Sequence, residues 1–397
     1  MGIDITTFNF ENKKVLLRAD FNLSLDQNFI PLDVFRIKQT ISTVKKILDG
    51  KGIVIIASHI GRPKGKYNEK YSLKHIIEPL KFLNNANVLF APDCIGSAAI
   101  DTINKASNGD MVLLENVRFH PGEEAGDEIF AKELADLGDI YINDGFSVSH
   151  RNHASTAITP KFFSDQCKAL GFLCQSELSS LSKILNANNK PITSIIGGSK
   201  VSTKVPVINN LIKKVDNLII GGAMAFSFIK ALNHNIGRSF FEPDTLDICL
   251  DIFKKAKDNN TNIYLPIDVV AADNINSKEN IICNITDIPN NLQGLDIGPK
   301  TIDQFINIIN SSLTLLWNGP MGVFEKKEFS NGTYLIGNAI SKHTDKDCYS
   351  VAGGGDTVAA INTLNIDNNF SHISTAGGAM LDFLAGRELP GIRAIIG

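Results

Sequence analysis

Short apolar runs alternate along this chain with polar or glycine-bearing connections and stretches of helical period. In the first half the runs fall at residues 14–18, 52–57, 88–91, 111–114, 139–142 and 169–173. Between the first two, Val34, Ile37, Ile41, Val44 and Leu48 recur at three- and four-residue steps, which predicts an amphipathic helix with these on its inner face. Strand and helix in alternation predict a parallel sheet covered on both faces. The second half repeats the theme, with strand candidates at 191–196, 217–220, 262–265, 313–317, 348–352 and 372–375. Residues 175–186 carry Leu178, Leu181, Ile184 and Leu185 at helical spacing and run into the polar stop Asn186-Ala187-Asn188-Asn189-Lys190-Pro191. The expected architecture is therefore α/β: two similar doubly wound parallel-sheet (Rossmann-like) domains joined by a helix, with a cleft between them. The boundaries fall at 1–172 for the first domain, 173–190 for the connecting helix and linker, and 191–375 for the second domain. Residues 275–291 mix polar and apolar positions without a period and predict no element.

Length supports this division, because 397 residues exceed what one core of ordinary size organises. A hydrophobic share of 43%, a charged share of 20% and a formal charge of -3 describe an ordinary globular chain without polyanion affinity, so no nucleic-acid partner is expected. The six cysteines, Cys94, Cys167, Cys174, Cys249, Cys283 and Cys348, form no CxxC pair, as reduced thiols of a cytoplasmic protein would. No basic segment leads into an apolar core near Met1, and no apolar run is long enough to cross a bilayer, so neither export nor membrane insertion is expected.

In open α/β sheets ligands bind beyond the carboxyl ends of strands. The first half places Asp20-Phe21-Asn22, His59-Ile60-Gly61-Arg62, Glu115-Asn116-Val117-Arg118 and Asn143-Asp144-Gly145-Phe146 there, with His150, Arg151 and His153 close behind. Arginine's planar fork suits phosphate and carboxylate oxygens, so Arg62, Arg118 and Arg151, with Arg36 just inside the first helix, predict a pocket for a small, multiply charged anion. Asp20 and Asn22 suit a substrate hydroxyl; a simple pair between Asp20 and Arg36 is the other reading.

The second half carries nucleotide-like features. Ser350-Val351-Ala352-Gly353-Gly354-Gly355-Asp356-Thr357 reads as strand, bare turn and helix start, a shape that lets backbone N–H groups approach a phosphate. Asp356 either caps that helix or meets a cation beside the phosphate. Lys200 and Lys204, four apart, share a face if a helix begins there. Gly221-Gly222 suits either a close approach to a base or tight packing, and Glu325 either ribose hydroxyls or plain solvent. No GxGxxG follows a strand, and no Walker loop, GxSxG elbow or HRD/DFG pair is present. A dinucleotide oxidoreductase therefore loses its main support.

Taken in order, Arg18-Ala19-Asp20-Phe21-Asn22, Ser58-His59-Ile60-Gly61-Arg62-Pro63, Leu114-Glu115-Asn116-Val117-Arg118-Phe119, Gly197-Gly198-Ser199-Lys200, Trp317-Asn318-Gly319-Pro320 and Gly353-Gly354-Gly355-Asp356-Thr357 resemble the phosphoglycerate kinase family. The resemblance runs from about Lys14 to the end of the chain. It implies reversible phosphoryl transfer between 1,3-bisphosphoglycerate and ADP, giving 3-phosphoglycerate and magnesium ATP. It implies Asp20, Asn22, Arg36, His59, Arg62, Arg118 and Arg151 for the glycerate ligand. For the nucleotide it implies Lys204, Asn318, Glu325, Gly353, Gly354, Gly355, Asp356 and Thr357, with Asp356 toward Mg2+. Arg36 and Lys200 would face the migrating phosphoryl group from opposite domains, brought together by domain closure. The family further implies a monomer whose residues 376–397 return toward the first domain. Ser199, Leu23-Ser24 and Ala376 depart from the family's usual pattern, and none of these removes a charged ligand.

Overall fold

The structure, a computed structural model, describes residues 3–346 and 348–397. Two compact units divide these residues: the chain up to Leu178 together with Glu388–Gly397, and Ser179–Arg387.

The first unit is built on six parallel strands: β1 (Lys14–Arg18), β2 (Ile53–Ala57), β3 (Val88–Ala91), β4 (Met111–Leu114), β5 (Ile140–Asn143) and β6 (Lys168–Leu170). Their order across the sheet is β3-β4-β2-β1-β5-β6. The buried runs of β1, β2, β4 and β5 explain why apolar continuity, rather than alternation, marked them in the sequence. Along the helix Phe35–Asp49 the buried positions are Ile37, Thr40, Thr43, Val44 and Ile47, so the inner face is turned relative to the expected one, and Ile41 and Leu48 are only partly covered. On that turned face the Thr43 hydroxyl accepts the Phe172 N–H at 2.9 Å, so a polar residue is satisfied at a buried position.

The second unit repeats the plan with β7 (Ile192–Ile196), β8 (Asn217–Ile220), β9 (Asn235–Ile236), β10 (Asn262–Tyr264), β11 (Asp268–Ala272), β12 (Ile281–Asn284), β13 (Asp287–Ile288), β14 (Gln293–Ile297), β15 (Thr314–Asn318), β16 (Tyr349–Gly353) and β17 (His372–Ser374). Six of these form a parallel sheet in the order β10-β8-β7-β15-β16-β17. The others make a small antiparallel sheet, β12-β11-β14, and a two-stranded pair, β13-β9. Apart from β9, this addition occupies the periodless stretch 275–291 and its flanks. Ile281 and Ile282 on β12 are both exposed, so no alternation survives there to be read.

The connecting helix, Phe172–Leu185, starts three residues ahead of its expected position. The division between units falls within it, after Leu178. Near the other end of the chain, residues 376–387 stay with the second unit, where Asn210 Nδ2 donates to the Leu384 carbonyl at 2.6 Å. Only the last stretch belongs to the first, held by Asn143 Nδ2 on the Gly391 carbonyl at 3.0 Å. Among the described residues no helix is long and apolar enough to cross a membrane.

Candidate active site

In the first unit the chain leaves β1 toward β2 and leaves β5 toward β6, so the connections diverge between β1 and β5. At that point the exits of both strands meet. The Asp20 carboxylate accepts the Ser147 hydroxyl, the Arg36 guanidinium and, at 3.0 Å, the Asn22 N–H. His59 Nδ1 lies 3.8 Å from it. Asn22 Oδ1 accepts the Gly61 N–H at 2.8 Å, and the Gly61 carbonyl accepts Arg118 Nη1 at 2.8 Å. One hydrogen-bonded chain thus runs from Asp20 through Asn22 and Gly61 to Arg118, with Arg62 exposed beside Gly61. Arg151 is half-buried, close enough for its charge to act on both His59 and Arg118. The side chains of Arg62 and Arg151 make no hydrogen bond or ion pair with other described residues.

Crowded like charges leave a signature. Burial, with Arg18, Arg118 and Arg151 adding to it against Asp20, holds the buried His59 well below the usual histidine range. Burial and the same arginines pull His153 down to about 4, and burial with Arg18 and Arg151 lowers Arg118 to about 10. Burial alone would raise Asp20, but the Arg36 guanidinium and the hydrogen bonds from Ser147 and Asn22 hold it below the ordinary carboxylate range, so it stays ionised beside a neutral His59. Arg18 Nη2, Arg118 Nε and Nη2, and His59 Nδ1 are buried without a hydrogen-bond partner. Arg18 Nη2 has the Glu123 carboxylate 3.9 Å away and Arg118 Nε has that of Glu124 at 3.4 Å, which leaves Arg118 Nη2 as the buried guanidinium donor with neither bond nor ion pair, suited to an anion that supplies the missing acceptor.

Three contributors, Ser147, Arg18 and Glu123, have no role in the sequence reading. Ser147 lies in the short helical turn Phe146–Val148 just past the β5 exit, and extending the strand-exit rule by one turn finds it. Arg18 and Glu123 are wholly buried, 3.9 Å apart, with Glu123 also accepting both the N–H and the hydroxyl of Ser155. Arg18 ends the apolar run 14–18 and opens the motif Arg18-Ala19-Asp20-Phe21-Asn22, but nothing in the sequence surroundings of Glu123 distinguishes it from a surface charge or pairs the two.

In the second unit the connections diverge between β7 and β15, and again the exits meet there. Gly197 N–H donates to the Asn318 carbonyl at 2.8 Å, and Gly198 N–H to the Pro320 carbonyl at 3.0 Å. Asn318 is the junction: its Oδ1 accepts the Lys204 ammonium while its Nδ2 donates to the Gly353 carbonyl at 2.7 Å. Gly319 N–H donates to Thr357 Oγ1 at 2.7 Å. Gly354, at φ 100°, is the cap of the helix Gly355–Thr363, whose cap makes no side-chain hydrogen bond. Asp356 is therefore an exposed carboxylate in the first helical turn and not the N-cap.

A cavity of about 240 Å³ is lined by Lys204, Asn318, Gly354, Gly355, Asp356 and Thr357. A larger one of about 510 Å³ is lined by Lys200, Gly222, Glu325 and Asp356 over an apolar bed that includes Phe226 and Val323. Asp356 borders both. A Cβ added at Gly355, Gly198 or Gly377 would meet nothing within 4 Å, so the backbone there is open to an approaching group. Burial lowers the Lys204 ammonium, with Asp356 opposing. Lys200 and Lys204 do not share a helix: the helix begins at Val205 with Pro206 in its first turn, and the four residues before it form a turn. Lys200 is exposed, while Lys204 is partly covered and held by Asn318.

Arginines edge one parallel sheet and a bare glycine turn, a lysine and a carboxylate edge the other, and the relatives this two-unit α/β chain matches are phosphotransferases. The family model described as Phosphoglycerate kinase matches residues 5–387. The chain belongs to the phosphoglycerate kinase family. It is 42% identical over 417 residues to the phosphoglycerate kinase of Porphyromonas gingivalis, covering 99% of this chain and 100% of that protein. It is 43% identical over 393 residues to that of Chlorobium chlorochromatii, covering 99% and 98%. Among solved structures, phosphoglycerate kinase from Coxiella burnetii superposes with a TM-score of 0.90 at 36% identity, over 100% of this chain and 99% of that one.

Proposed function

We propose that the chain transfers a phosphoryl group reversibly from 1,3-bisphosphoglycerate to ADP, giving 3-phosphoglycerate and ATP, with the glycerate ligand held by the first unit and the nucleotide by the second. The observation that carries this division is that each sheet bears, at its own point of divergence, one half of the required chemistry. One half is a cluster of arginines with an orphaned buried donor, and the other is an open glycine turn fastened by Asn318 to Lys204.

Arg62, Arg118 and Arg151 suit the glycerate phosphate, and Asp20 and Asn22 suit its hydroxyl. The acceptor carboxylate, with a pKa of about 3.5 to 4 by analogy with ordinary carboxyls, is ionised at neutral pH and needs no general base. Catalysis then rests on position and on neutralising charge that spreads over the equatorial oxygens, the work of Arg36, Lys200 and the glycine-turn N–H groups. Both ligands must meet for transfer, so the reading requires closure that also excludes water from the acyl phosphate.

Magnesium fits this donor set, because Mg2+ is commonly held by one or two carboxylates plus substrate phosphates, and Asp356 is an exposed carboxylate bordering both cavities. Bound there, it would neutralise nucleotide phosphate charge. Glu325, on the wall of the larger cavity, is suited to ribose hydroxyls. The reading also takes the chain as a monomer of the cytoplasm, in keeping with six cysteines that form no disulfide. A coupled assay with 3-phosphoglycerate, ATP and Mg2+ tests the function; steady turnover supports it, and none with the folded protein rejects it.

A further inference from the structure

Beyond both ligand pockets, Asp93, Cys94 and His120 bring a carboxylate oxygen, a sulfur and a ring nitrogen within 4.8 Å of one another, the only such group of three among the described residues. The fold explains the meeting. β3 and β4 are parallel neighbours in register, Ala91 beside Leu114, so the segments that follow them emerge side by side. Asp93 and Cys94 lie in the turn ahead of the helix Gly96–Ile103, and His120 follows the turn Val117–Phe119.

We propose that Asp93, Cys94 and His120 bind a borderline-soft divalent cation, with Zn2+ as the type, at a site separate from the nucleotide. Sulfur, imidazole and carboxylate are the donor set that Zn2+ accepts, whereas Mg2+ takes oxygen. Two of the ligands are already oriented. The Cys94 N–H donates to Asp93 Oδ1 at 2.6 Å, and the His120 ring stacks on Phe130 with centroids 5.2 Å apart. The Cys94 thiol forms a buried floor, while the Asp93 and His120 side chains, 44% and 29% exposed, leave the outer side for entry and for a water as fourth ligand. His120 Nε2 now sits 2.7 Å from Asp93 Oδ1. Tetrahedral ligands about 2.0 to 2.3 Å from zinc stand roughly 3.4 Å apart, so that pair opens slightly on binding. The thiol proton passes to solvent as the metal–sulfur bond forms, and no electron is transferred.

The test is a titration of the reduced, chelator-stripped full chain with Co2+ in excess Mg2+, followed by displacement with Zn2+. One equivalent should bind and give a near-ultraviolet thiolate-to-cobalt band. Cys94→Ala should abolish the band, and His120→Gln should weaken binding by about tenfold or more. Failure to take up Co2+ in stoichiometric amount, or a band that survives Cys94→Ala, overturns the proposal. If Cys94→Ala does not fold, Asp93→Asn and His120→Gln on the accessible rim decide: unchanged affinity in both is equally fatal, and weakened binding in both sustains the site.

Discussion

Arg36, in the first turn of its helix, donates to the carboxylate of Asp20 at the end of the neighbouring strand, and Ser147 donates to the same carboxylate oxygen. Asp20 is buried and Arg36 about two-thirds covered, so the pair orients the guanidinium before any ligand arrives. Asp20→Asn keeps the volume and removes the charge. Loss of a charge-assisted hydrogen bond costs about 1.5 to 3 kcal/mol, so turnover should fall about tenfold or more while ADP affinity stays unchanged. The same pair makes stability depend on pH. The folded pKa of Asp20 lies below its unfolded value, so its contribution is present above about pH 4 and is lost as pH falls through the depressed folded value. Urea unfolding should show the gap between the unchanged protein and Asp20→Asn shrinking from about pH 7 to about pH 3.

The glycine turn offers a contrast between neighbours. A Cβ at Gly354 would sit 2.4 Å from Asn318 Nδ2, at a φ of +100° that side chains rarely adopt. Gly354→Ala should therefore lower both stability and nucleotide affinity. Gly355→Ala meets nothing within 4 Å, so its melting temperature should match the unchanged protein. If phosphate uses that open space, its ADP affinity still falls, by about tenfold or more on equilibrium titration.

Asp356 makes no cap, so its replacement removes no helix-capping bond. Asp356→Asn should leave ADP binding without Mg2+ nearly intact and erase the gain that Mg2+ brings. Equal enhancement by Mg2+ in both proteins would end the role assigned to this carboxylate.

Asp144 directly follows β5 and is fully buried, accepting the Cys174 N–H at 3.2 Å in the first turn of the connecting helix. Burial raises its pKa to about 7, against the hydrogen bonds that lower it. A raised folded pKa stabilises below the unfolded value and is lost as pH rises through about 7. Relative to Asp144→Asn, the unchanged protein should lose about 1.4 kcal/mol between about pH 6 and about pH 8 in urea unfolding.

The parallel sheets were legible because their strands are buried on both sides and so appear as unbroken apolar runs, and the strand exits were legible because polar residues end those runs abruptly. The small antiparallel sheet was not: exposed Ile281 and Ile282 and the two-residue strand Asp287–Ile288 leave no period to detect. The side-by-side placement of Lys200 and Lys204 failed for a local reason, the helix start fixed at Val205-Pro206. The residues proposed for the anion pocket could be read from type and place, and Ser147 follows from the same rule carried one turn further, but the buried Arg18–Glu123 pairing could not, since it is a contact that only the folded sheet creates.

Arg62 gives the cleanest test of the division between a glycerate-binding unit and a nucleotide-binding unit. It is exposed and has no side-chain partner among the described residues, so Arg62→Ala removes nothing that holds the fold. Calorimetric titration of this variant should show 3-phosphoglycerate binding weakened by about tenfold or more, the value of one charge-assisted contact, with Mg-ADP affinity unchanged. Undiminished 3-phosphoglycerate binding, or an equal loss for both ligands, would contradict the account.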